Sequence, residues 1–88
     1  MDGKNKLNIN SSNEIIKKTV GEYCKNFRIN ELNLTLVDFS FFTNTNFKTI
    51  WAFENGRSNN IKYLFYYYVI AYGFKRDIFV KGLFDLWQ

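Results

Sequence analysis

The side chains able to do chemistry in this chain are few and scattered. Cys24 is the one cysteine, and there is no histidine. That leaves no partner for an intramolecular disulfide and no ligand set for a structural zinc or a zinc hydrolase. Cys24 stands at an apolar position of a helical pattern, where a thiol reads as a small core residue and not as a reactive group. Ser11, Ser12, Ser40 and Ser58 carry hydroxyls, but a serine nucleophile needs an activating base, and no histidine or suitably spaced lysine supplies one. The carboxylates occur singly, and no glycine-rich phosphate loop is present. These features argue against an enzyme, a metal site, a cofactor or a small-molecule substrate. Cations remain. Between Phe41 and Arg76 lie Lys48, Arg57, Lys62, Lys75 and Arg76 against the single acid Glu54, in a chain of net charge +4. A local excess of positive charge is what phosphate binding requires.

The elements that must position these cations read as helices. With 88 residues the chain fits one domain, large enough to bury a modest core. Residues 1–11 are polar, mixed in charge and rich in asparagine, and read as a flexible N-terminal arm ahead of a domain over 12–88. Ser11 to Glu14 has the form of a capping box. Ile16, Val20, Cys24 and Phe27 then recur at helical spacing, predicting a first helix of about 18 residues that ends near Leu32 and Asn33. Thr35 and Asp38 cap a short second helix with Val37 and Phe39 near its buried side. Asn44, Thr45 and Asn46 supply a turn and the next N-cap. A third helix runs from about Phe47 to Glu54 and is stopped by Asn55 and Gly56. Ile61, Leu64, Phe65, Tyr68, Ala71 and Tyr72 mark the apolar side of a fourth helix, closed by Gly73. A fifth, from about Asp77 to Trp87, carries Val80, Leu83, Phe84 and Trp87 on one side.

The arm has no apolar core of a signal peptide. The most apolar stretch, Tyr63 to Phe74, is about a dozen residues long where a membrane span needs ~20. A cytoplasmic protein without membrane contact is expected. The lack of proline and the wealth of Asn, Ile, Lys, Phe and Tyr suit an AT-rich bacterial or phage genome.

Leu34-Thr35-Leu36-Val37-Asp38-Phe39-Ser40, Asn44-Thr45-Asn46, Thr49-Ile50 and Phe53-Glu54-Asn55-Gly56-Arg57 together resemble the pattern of the phage Cro and repressor proteins and their XRE-type bacterial relatives. Ala71-Tyr72-Gly73-Phe74 is similar to that family's ending of helix four. The likeness covers about Val20 to Phe84. It implies an all-α, compact five-helix lambda-repressor-like bundle with a helix-turn-helix, in which Phe39, Ile50 and Phe53 pack the two crossed helices together and Ser40 lets them approach.

The function implied by the resemblance is sequence-specific transcription regulation on double-stranded DNA, with helix three in the major groove. Asn46, Phe47, Lys48, Trp51 and Ala52 match positions that read bases or flanking phosphates. Thr35, Asn55 and Arg57 match positions that hold the sugar-phosphate backbone. Glu54 is assigned to structure, pairing with a neighbouring helix or loop. Leu36, Phe41, Phe42, Phe47 and Trp51 are more apolar than the family pattern at their positions, which keeps open an alternative: a derivative that binds a regulatory protein through exposed aromatics. Tyr66, Tyr67 and Ile70 on helix four, with Phe79 and Trp87 on helix five, are expected to form an interface. The reading is a homodimer whose two recognition helices stand about 34 Å apart, or a complex with a regulatory partner.

Overall fold

The computed structural model describes the backbone of residues 2–86 and the side chains of residues 13–86. Five helices follow one another: α1 (Asp2–Asn30), α2 (Leu36–Thr43), α3 (Phe47–Glu54), α4 (Ile61–Ile70) and α5 (Phe74–Asp85). No strand occurs among the described residues.

Local chemistry explains most of the boundaries. Asn33 takes a left-handed backbone (φ 55°) just past α1, a conformation that asparagine tolerates better than most residues. Thr35 accepts a hydrogen bond from the Asp38 amide (3.0 Å) and starts α2. Asn44, again left-handed (φ 51°), ends it. Asn46 accepts from the Lys48 amide (2.8 Å) to start α3. Asn60 does the same for α4 through the Lys62 amide (3.1 Å). α1 extends further toward the N-terminus than the Ser11–Glu14 box predicts, and the helix runs through those residues. The side chains of the expected arm over 1–11, and Trp87, lie outside the described residues.

The core gathers Cys24 and Phe27 of α1, Phe39 of α2, Ile50 and Phe53 of α3, Tyr67 of α4 with its C-cap Ala71, and Phe79 of α5. Phe39 and Tyr67 stack with ring centroids 4.4 Å apart, and Phe27 meets Phe79 edge-on at 4.8 Å. Gly21 lets α1 approach the end of α3. A Cβ there would come within 2.5 Å of the Phe53 carbonyl oxygen and 2.7 Å of that of Glu54.

Two charged side chains share this interior. Arg28 donates from Nε to Glu54 Oε2 (2.8 Å) and from Nη2 to Oε1 (2.9 Å), with both residues only 5% exposed. Its Nη1 donates to the Leu34 carbonyl (2.9 Å), and the Tyr67 hydroxyl donates to Glu54 Oε2 (2.7 Å). The hydrogen bond to Glu54 raises the Arg28 pKa, opposed by burial. Burial first, then the Glu54 charge, pushes the Tyr67 phenol far above its ordinary range. Burial likewise holds the Cys24 thiol up, as an inert core group.

Several predicted positions turn out differently. Val37 is exposed while Phe39 is buried, because residues two apart on a helix face nearly opposite ways. Ile16 and Phe84 are also exposed. The largest correction concerns α4, where Ile61, Phe65, Tyr68 and Tyr72 face outward and Tyr63, Tyr67 and Ile70 turn inward, while Leu64 and Ala71 of the predicted side do lie in or against the core. That segment is apolar almost all round, so periodicity does not choose its buried side. The Tyr67 hydroxyl does, by reaching Glu54. Tyr67 and Phe79, expected on an interface, are therefore core residues, and Tyr66 and Ile70 are half-buried against the same core.

Removing one member of a buried ion pair strands the other charge. Glu54→Ala is expected to cost ~3–5 kcal/mol, and Tyr67→Phe about 1.5–3 kcal/mol as a lost bond to a charged acceptor. Urea unfolding checks both, and a Glu54→Ala curve matching wild type would refute the role of the pair.

Alkali provides a second check. Tyr23 donates to the Phe79 carbonyl (2.8 Å), and burial pushes its pKa up to about 12. A folded-state pKa above the unfolded value of ~10 contributes stability that is fully present below pH ~10 and lost as pH rises through the folded value. Denaturant midpoints are expected to fall between pH ~10 and ~12, with a smaller fall in Tyr23→Phe.

Candidate functional site

The expected site residues converge on the outer side of α2, the turn over 44–46, α3 and the loop over 55–60. α3 is held from behind by Ile50 and Phe53, and by Glu54 on Arg28. Its other side leaves Phe47, Lys48 and Trp51 exposed and Ala52 partly exposed. The four follow helical spacing, so they project from the solvent-facing side of α3 as a set.

Charge on this face is set by burial. Glu54, the one acid among the described residues of α3 and the loop after it, is turned inward and paired. Lys48 and Arg57 stay on the outside. The Arg57 guanidinium lies over the Trp51 ring, 5.2 Å from its centroid. Such stacking holds the cation in place while leaving its edge free to donate. Gly56, with φ 74° against the side of Lys18, makes the tight turn that brings Arg57 back over α3.

Other assigned residues have structural duties. Thr35 and Asn46 are N-caps. Asn55 donates from Nδ2 to the Trp51 carbonyl (2.8 Å) and closes the end of α3. Of the remaining cations in the basic segment, Lys75 pairs with Glu31 at 2.9 Å. Arg76 donates to the Tyr68 and Ala71 carbonyls (3.0 and 3.1 Å) and packs on the Tyr68 ring. Both hold α5 to its neighbours, so the outward positive charge narrows to Lys48, Arg57 and Lys62.

Sequence reasoning passed over the burial of Arg28 and the exposure of Val37. Arg28 follows Cys24 by four residues and therefore lies on the buried side of α1, a placement that demands an acid partner. α2 carries bare apolar side chains: Phe41 is 80% exposed and Val37 66%. Val37, Phe41 and Phe47 line an open cleft of about 440 Å³ in the angle between α2 and α3, together with Ser40, Asn44 and Asn46.

Comparison of the chain with family models, curated proteins and solved structures finds no match.

The caps predict a dissection of stability from binding. Asn46→Ala and Thr35→Ala should each lower stability by about 0.5–2 kcal/mol through the lost cap bond, read from thermal melts with no ligand present. A melt unchanged in both would show that the caps contribute nothing measurable to α2 and α3.

Proposed function

We propose that this chain is a sequence-specific DNA-binding transcription regulator in which α2 and α3 form a helix-turn-helix of the lambda-repressor-like kind. The observation that carries the proposal is the inward pairing of Glu54, which leaves the described residues of α3 and the loop after it with Lys48 and Arg57 outward and no exposed carboxylate of their own. In this reading α3 enters the major groove. Lys48 donates to guanine O6 or N7, and Phe47 packs on a thymine methyl. Arg57, preset over Trp51, meets a backbone phosphate. The free amide ends at the starts of α2 and α3 favour phosphate oxygens in the same plane.

A second reading rests on Val37, Phe41 and Phe42, which are bare on α2. Under the DNA reading this helix lies toward phosphates, which offer apolar side chains nothing. A regulatory protein with apolar anchors would cover these residues and the cleft beside them.

One pair of measurements separates the readings: salt-titrated retention on fragments of the source genome, and affinity capture from the same lysate. Salt-sensitive retention of a particular fragment supports the regulator, whereas a stoichiometric protein partner without DNA retention supports the second reading. Arg57→Ala is expected to weaken binding to all sequences and lower the salt slope by about one phosphate contact. Lys48→Ala is expected to relax discrimination at one base pair by about 1–3 kcal/mol. Wild-type affinity and salt slope in both variants would remove this face from DNA binding.

A further inference from the structure

We infer that the outward side of α4 is the docking surface for a second copy of this chain. Ile61, Phe65 and Tyr68 belong to the side that helical periodicity selects for burial, yet the fold leaves them outside, and their role does not depend on the DNA reading. Ile61, Phe65, Tyr68 and Val69 recur at i, i+4, i+7 and i+8 and lie within about 100° of helix circumference. Tyr63, Tyr67 and Ile70 occupy the opposite side and fill the core. The outward residues are bare: Ile61 63%, Phe65 55% and Val69 62% exposed, with Tyr72 at 85% just past the end of the helix.

The area fits an interface core. At roughly 200 Å² for a fully exposed aromatic side chain, Phe65, Tyr68 and Tyr72 alone leave about 350 Å² uncovered. Ile61 and Val69 carry the patch beyond the few hundred Å² common on soluble monomers. It then covers over half of the ~800 Å² that each partner contributes to a standard interface, with the rim to supply the rest.

Charge identifies the occupant. Every residue of the stripe is neutral, and Lys62 is the one ionic side chain of α4. A neutral aromatic stripe is self-complementary, as a two-fold interface requires. Its ends differ in sign: Lys62 is exposed at the start, and beyond the far end Asp77 is exposed in the first turn of α5. Arg76 beside it is already engaged with the carbonyls that end α4. Antiparallel pairing of α4 with its copy brings each Lys62 toward the partner's Asp77.

Sedimentation velocity of the full chain without DNA tests this. The expected result is a dimer at micromolar concentration, and a monomer for Phe65→Glu/Val69→Glu with an unchanged circular dichroism spectrum. If that double variant does not fold, Tyr72→Glu, outside the helix and away from the core, takes its place and should weaken dimerisation at least tenfold. Phe41→Glu, on α2, should dimerise as wild type does. A wild-type monomer at about 100 μM, α4 variants that dimerise normally, or dissociation caused by Phe41→Glu would each overturn the inference. The DNA reading is judged separately by fragment retention: a monomer that still retains one fragment refutes the dimer alone, and a dimer that retains none refutes the regulator alone.

Discussion

A carboxylate buried at the end of an eight-residue helix is the constraint around which this small protein is arranged. Glu54 is only 5% exposed, and it is held by Arg28 from α1 and Tyr67 from α4. Arg28 in turn holds the Leu34 carbonyl, which fixes the connection into α2. One node thus ties α1, α3, α4 and the entry to α2. Hydrophobic packing alone tolerates sliding and rotation of helices, because apolar contacts are nearly interchangeable. A buried ion pair does not: an arrangement that leaves either charge unpartnered loses several kcal/mol. Among the described residues no buried side-chain nitrogen or oxygen lacks a hydrogen-bond partner, so the arrangement satisfies the polar groups it encloses.

The same node shapes the exterior. Drawing Glu54 inward removes the one negative charge from the segment that carries Lys48 and Arg57, and the outer side of α3 becomes cationic with no change in composition. Lys75 and Arg76, equally basic in the sequence, are engaged with Glu31 and with backbone carbonyls. Rotation of α4 to bring Tyr67 onto Glu54 also decides which of its aromatic residues stay outside. Two surfaces of different character result. The α2–α3 face mixes cations with Phe41, Phe47 and Trp51, whereas the α4 face is neutral and apolar.

Short-range chemistry in the sequence determined the helical class, the turn at 44–46, the caps at Thr35 and Asn46, and the buried positions Cys24, Phe27 and Phe39, while Ile50 and Phe53 are expected inside through the family resemblance. Asparagine and threonine bond to neighbouring amides wherever the chain goes, and an amphipathic period appears wherever polar residues mark the other side. The candidate surface was legible only through the resemblance of the 34–57 stretch to the Cro and repressor pattern, because α3 exposes Phe47 and Trp51 and buries Glu54, so polarity alone does not mark its outer side. Only the tertiary structure decided the orientation of α4 and the role of Arg28. The run Tyr63-Leu64-Phe65-Tyr66-Tyr67-Tyr68-Val69-Ile70 has no polar side to exclude from the core, so its periodicity is blind to rotation. Tyr67 differs from Tyr66 and Tyr68 in one respect, that its hydroxyl meets a carboxylate 13 residues earlier in the chain. A partnership of that kind depends on where three helices cross, which no local spacing expresses.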